Sequence, residues 1–198
     1  MATPPNRRSR TAVELVCALL ISTGLMPKAI AHELASDRLT VVMREPSHLS
    51  LVFLIDQVAL LRRLVAPDAT AVEFMISMAA MSDTTFDKVV DLGRSQFESD
   101  VVILDQNGSK LALHNWRWSS KEELRGSIRS LAMAAVVGGD PHTHDFANEI
   151  TAEAVSSSPI SRISLRLPKQ AAKTLVVAYR PKQSYVDPSG GVSLAIEF

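Results

Sequence analysis

The sequence predicts an α+β, β-rich domain, a β-sandwich of seven or eight short strands carrying a helical insertion. Two observations predict it. Short apolar runs of strand length, several of them alternating with period two, come early in the chain and fill its last third. Between them, apolar residues recur at helical spacing behind residues of the kind that cap helices.

Residues 38–44 alternate, with Leu39, Val41 and Met43 on one face, and residues 49–55 are rich in Leu, Val and Phe. Glu45-Pro46-Ser47-His48 between them is turn chemistry, so the pair reads as a hairpin. Residues 56–65 suit a short helix that stops before Pro67. Thr70 with Glu73 makes a capping box, opening a second helix to about Met81. Apolar residues cover nearly all sides of that helix, which predicts burial. Ser82 or Asp83 caps a third, on which Phe86, Val89, Val90 and Phe97 share a face. The helical insertion therefore spans about 57–98.

Residues 101–104 and 110–116 flank Asp105-Gln106-Asn107-Gly108-Ser109, where Asn-Gly supplies the positive φ that a tight hairpin turn needs. Ser119 with Glu122, or Ser120 with Glu123, opens a further helix over about 119–137. It carries Leu124, Ile128, Leu131 and Ala135 on one stripe and ends at Gly138-Gly139. Residues 149–155, 160–167 and 174–179 are strand-like, and 192–198 alternate again after a Pro-Ser-Gly-Gly turn. Strands of this length in this number predict an immunoglobulin-like sandwich. With no internal repeat and no linker, residues 32–198 read as a single domain.

Ahead of that domain, residues 1–31 have the three parts of a secretory signal peptide. Arg7, Arg8 and Arg10 precede a mostly apolar stretch, and Ala29-Ile30-Ala31 places small residues where a signal peptidase cuts. The apolar stretch falls short of the roughly 20 residues that span a bilayer. A retained anchor is the alternative, since Glu14 interrupts the stretch. The only cysteine, Cys17, lies in the leader, so a mature domain holds together without disulfides. That combination points to a bacterial periplasm or to secretion. Taking the leader's four basic residues and one acid from totals of 21 and 21 leaves 17 and 20, a net charge of −3. The charges are interspersed, which speaks against nucleic acid as a partner. No mature stretch is long and apolar enough for a transmembrane span.

Catalytic signatures are absent: there is no Gly-rich phosphate loop, no G-x-S-x-G and no H-E-x-x-H. The leading expectation is therefore a non-catalytic binding or accessory protein whose partner is an unknown protein or small ligand. A metal site is the alternative. Cleavage after Ala31 makes His32 the first residue, offering its α-amine and imidazole to one ion, and a second histidine would complete a three-nitrogen set that favours Cu(II). His142 and His144, two apart and followed by Asp145, are the best candidates for that second donor, with His48 and His114 behind them. The metal-site candidates are thus His32, His142 and His144, and the possible cofactor is copper. A metal-dependent enzyme is a further alternative.

On this His32 terminus and the predicted sandwich, the chain resembles small exported bacterial β-sandwich proteins that begin with His, among them the copper-resistance C-type and histidine-brace proteins. The resemblance implies copper held at His32, binding that an extra residue ahead of His32 would abolish. Two further features point to packing. Met75, Met78 and Met81 read as core filler. Trp116 and Trp118, two apart, read as buried between the sheet and the helix that follows, with a sugar- or peptide-binding shelf as the alternative.

Overall fold

The computed structural model describes residues 37–138 and 147–181. Those residues fall within one compact unit. The strands are β1 (Arg38–Glu45), β2 (His48–Asp56), β3 (Val102–Leu104), β4 (Leu113–Arg117), β5 (Ala147–Val155), β6 (Ser164–Arg166) and β7 (Leu175–Tyr179). The helices are α1 (Gln57–Val65), α2 (Ala71–Ala80), α3 (Asp83–Asp100) and α4 (Lys121–Val136).

Each helix starts on a side chain that accepts from its first turn, which satisfies backbone donors the helix itself leaves unpaired. Asp56 caps α1, and Ser82, the first of the two expected residues, caps α3. Thr70 with Glu73 and Ser120 with Glu123 form complete capping boxes on α2 and α4. Thr70 donates to Glu73 and holds that carboxyl below its usual range. Gly138 takes the left-handed conformation just past α4, at φ 76°.

Five strands form one sheet in the order β4-β5-β2-β1-β7. The β1–β2 hairpin is present, with Leu39, Val41, Leu51 and Phe53 on one fully buried face. β5 pairs antiparallel with β2 over its whole length, and β7 runs parallel to β1 as the other edge. β3 and β6 make a separate two-stranded sheet.

The helices stack on the buried face in two layers. Leu60 and Leu64 of α1 and Phe97 of α3 pack on the sheet together with Ile103, Leu111 and Ile160. The opposite sides of α1 and α3, through Val58, Leu61, Phe86 and Val90, meet Phe74 and Met78 of α2 and Leu124 and Ile128 of α4. Phe97 sits edge-on to Phe53, Trp116 and Trp118, with ring centroids 5.5–6.0 Å apart. Met75 and Met78 are buried filler.

The α+β class holds, and the helices at 57–65, 71–80, 83–100 and 121–136 match the expected ones closely. One expectation is corrected and two gain detail. The segments around the Asn-Gly turn pair antiparallel at their near ends, where Leu104 bridges Lys110 and Leu111 donates to Ile103. The turn exists, with Gly108 at φ 79° and Asp105 accepting from Asn107 and Ser109, but β4 leaves β3 and joins β5. Helix α2 is not buried on all sides: Val72 and Ile76 are 40% and 44% exposed because only one side meets α4 and α1. The seven described strands divide five and two, so α1 and α3 supply much of the layer that a full second sheet would occupy. The expected strand at 192–198 lies outside the described residues.

Candidate functional site

β4 is the edge of the large sheet, and an irregularity in it decides what the edge presents. His114 opposes Glu153, yet Arg117 rather than Trp116 opposes Thr151. One extra residue is therefore inserted in β4, a β-bulge, and Asn115 absorbs it at φ 54°. Asparagine is among the few residues that take this left-handed conformation readily. Its Nδ2 donates to Glu153 at 2.8 Å, which anchors the bulge to the neighbouring strand.

The insertion flips the alternation that follows. In a regular strand Trp116 would share the face of His114. Instead it turns to the buried side and stacks on Phe53 at 5.9 Å and on Trp118 at 6.4 Å. Both indoles are half-buried on the sheet as expected, but the helix ring that both meet is Phe97 of α3, which precedes them in the chain. Trp118 takes the Arg94 guanidinium over its ring at 5.3 Å and donates through Nε1 to Glu98 at 2.8 Å, so its ring face is occupied. Arg117 is turned the other way, to the exposed side.

There a cleft of about 570 Å³ opens between the end of β4, the start of β5 and the first turns of α4. Arg117, Trp118, Ser119, Asn148, Glu149 and Thr151 line it. Glu123 and Ser127 form its α4 wall, although both already serve the helix: Glu123 in the capping box, Ser127 by donating to the Glu123 carbonyl. Arg117 lies directly across from Thr151, and Glu149 lies two residues further along β5 on the same face. Such diagonal neighbours stand about 7–8 Å apart. Neither Arg117 nor Glu149 joins an ion pair with a described residue. The cleft thus offers a cation, a carboxylate and hydroxyls, each carried on a regular element.

Of the sequence-derived metal candidates, His32, His142 and His144 lie outside the described residues. His48 and His114 are described. His114 sits opposite Glu153, and His48 begins β2 diagonal to it. The Asn115 hydrogen bond holds the Glu153 carboxyl below its usual range, helped by the charges of His48, His114 and Arg117. Among the described residues no group of three or more His, Cys, Asp or Glu side chains is arranged to hold a metal ion. None of the described helices is long and apolar enough to cross a membrane.

The sequence marked Ser119 only as a candidate helix cap and did not mark Arg117, Glu149 or Thr151. Asn115 was the available signal, an Asn inside an aromatic strand where a bulge would re-aim its neighbours. Compared with protein-family models, with curated proteins and with solved structures, the chain finds no match in any of the three.

Proposed function

We propose that this is an exported, periplasmic binding or accessory protein that receives a small polar ligand in the cleft beside β4. The observation that carries the reading is the pairing of Arg117 and Glu149 across one cleft, each without an ion-pair partner among the described residues. A ligand bearing both an anionic and a cationic or hydroxyl group satisfies both ends at once, and charge-assisted hydrogen bonds are the stronger kind. The signal-like leader supports export. The packing of Ile103, Leu165 and Leu167 onto the core of the large sheet supports the finer, sandwich-like description of the fold.

The test is an amide NMR titration of the purified protein with three probes: serine as a zwitterion, lactate as a hydroxy acid and glucose as a neutral sugar. Saturable shifts confined to residues 117–119 and 148–151, strongest with serine and lost in Arg117→Ala, are expected. Absence of any response there to all three probes refutes the reading. Mass spectrometry of protein recovered from the periplasmic fraction tests export. A chain still beginning at Met1 refutes cleavage.

A further inference from the structure

Behind the cleft, the seam between α1 and α3 holds a polar group that the apolar surroundings do not explain. Gln57 is only 3% exposed. Its Nε2 donates to Ser119 Oγ at 3.1 Å, across 62 residues of sequence, while its Oε1 is buried with no partner. Arg94, on the facing side of α3, donates from Nη2 to the Ser119 carbonyl at 2.6 Å, and its Nε is likewise buried with no partner. Burial lowers the pKa of Arg94, with Asp91 and Glu98 opposing the shift. A buried amide or guanidinium group left without a hydrogen bond is costly, so native interiors almost always satisfy such groups.

Both side chains line one small cavity of about 10 Å³, whose other walls include Leu61, Val90, Gly93 and Leu124. That is close to the room one water takes, and internal waters sit where otherwise unsatisfied polar groups converge. The chemistry matches, because Gln57 Oε1 is an acceptor and Arg94 Nε a donor, so a single water can give to the first and receive from the second. Were the Gln57 amide reversed, its other end would still be buried without a partner.

We propose that this cavity is a binding site for one internal water bridging Gln57 and Arg94, and that the bridged pair positions the Trp118–Ser119 wall of the cleft. Ser119 takes a hydrogen bond from each residue, and Trp118 lies under the Arg94 guanidinium. The two groups that shape this wall of the cleft are therefore held from the interior by residues far away in sequence. The water site stands on the cavity and its unpaired groups, whatever the cleft binds.

Water-to-methyl cross-relaxation NMR on the purified protein tests the site. Cross-peaks between a long-lived water and the methyls of Leu61, Val90 or Leu124 are expected in the native protein. They are expected to vanish in Gln57→Met, which keeps the bulk and removes the acceptor, and to persist in Gln57→Glu. Arg94→Lys, which removes Nε from the cavity wall, gives an independent second loss. A native protein without these cross-peaks, or a Gln57→Met variant that keeps them, overturns the water site. The chain has two tryptophans, so its indole N–H region holds two resonances and Trp118 is assigned by Trp116→Phe. The Trp118 indole and Ser119 amide resonances are expected to shift in Gln57→Met and to return toward native positions in Gln57→Glu. Resonances unmoved in Gln57→Met overturn the positioning role and leave the cleft reading to its own titration.

Discussion

Gly93 is where α3 approaches α1 most closely, and replacing it with alanine tests the two-layer helical packing. A Cβ on Gly93 would lie 2.3 Å from Leu61 Cδ1 and 3.3 Å from Val65 Cγ1. Leu61 is 5% exposed and packed among Val58, Phe74 and Val90 in the helical core, and the cavity it shares with Gly93 is only about 10 Å³, so its methyl has little room to retreat. Overfilling a packed site costs about 1–3 kcal/mol. The same change removes a glycine from a helix interior, a gain of about 1 kcal/mol. Gly126 in α4 supplies the control: it is exposed, and a Cβ there meets nothing within 4 Å. Helix propensity acts alike in Gly93→Ala and Gly126→Ala, so the difference between the two isolates the packing cost. Gly126→Ala is expected to be more stable than the parent and Gly93→Ala less stable than Gly126→Ala by about 1–3 kcal/mol. In a protein of this size each kcal/mol moves the melting midpoint by roughly 2–4 °C. Urea titrations followed by circular dichroism, with thermal melts beside them, read both quantities. Equal stability of the two alanine variants would refute the close approach of α1 and α3.

Three further outcomes follow from the same contacts. Burial raises the pKa of Asp37 above its ordinary value, against the Asp56 N–H and the nearby Arg63. The folded form therefore holds that proton longer than the unfolded one, so stability falls as pH rises from the unfolded carboxylate value through the raised one. Asp37→Asn is expected to remove that part of the slope in urea titrations across acid pH, and an unchanged slope counts against a buried Asp37. Asn115→Gly keeps the positive φ of the bulge but deletes the hydrogen bond to Glu153. Carboxyl carbon NMR should find the Glu153 pKa risen toward its ordinary value, and a pKa left low would show that the surrounding cations alone set it. Ser120→Ala removes half of the α4 capping box, at a cost of about 0.5–2 kcal/mol in chemical denaturation. No measurable cost would mean that Glu123 and water suffice at that end.

What the sequence by itself determined is local. Thr70 with Glu73, Ser120 with Glu123, Asp56 and Ser82 act on backbone groups within one helical turn, so their consequences can be read without knowing where the rest of the chain goes. The Asn107-Gly108 turn and Gly138 are of the same kind, each fixed by the positive φ that glycine permits. The β1–β2 hairpin joined them because a short turn, Glu45-Pro46-Ser47-His48, separates its two strand-like runs. Tertiary structure alone decided which strand β4 joins, the parallel addition of β7, the five-and-two division of the sheets and the cleft. Alternation along β4 predicts one face for the whole strand, and the inserted residue at Asn115 reverses it after His114. The contacts of Gln57 with Ser119, Arg63 with Gln170 and Gly93 with Leu61 join segments whose meeting depends on how the sheet and both helical layers stack. The physical reason is the range of the forces: caps and turns are settled among neighbours in the chain, while packing is settled among neighbours in space.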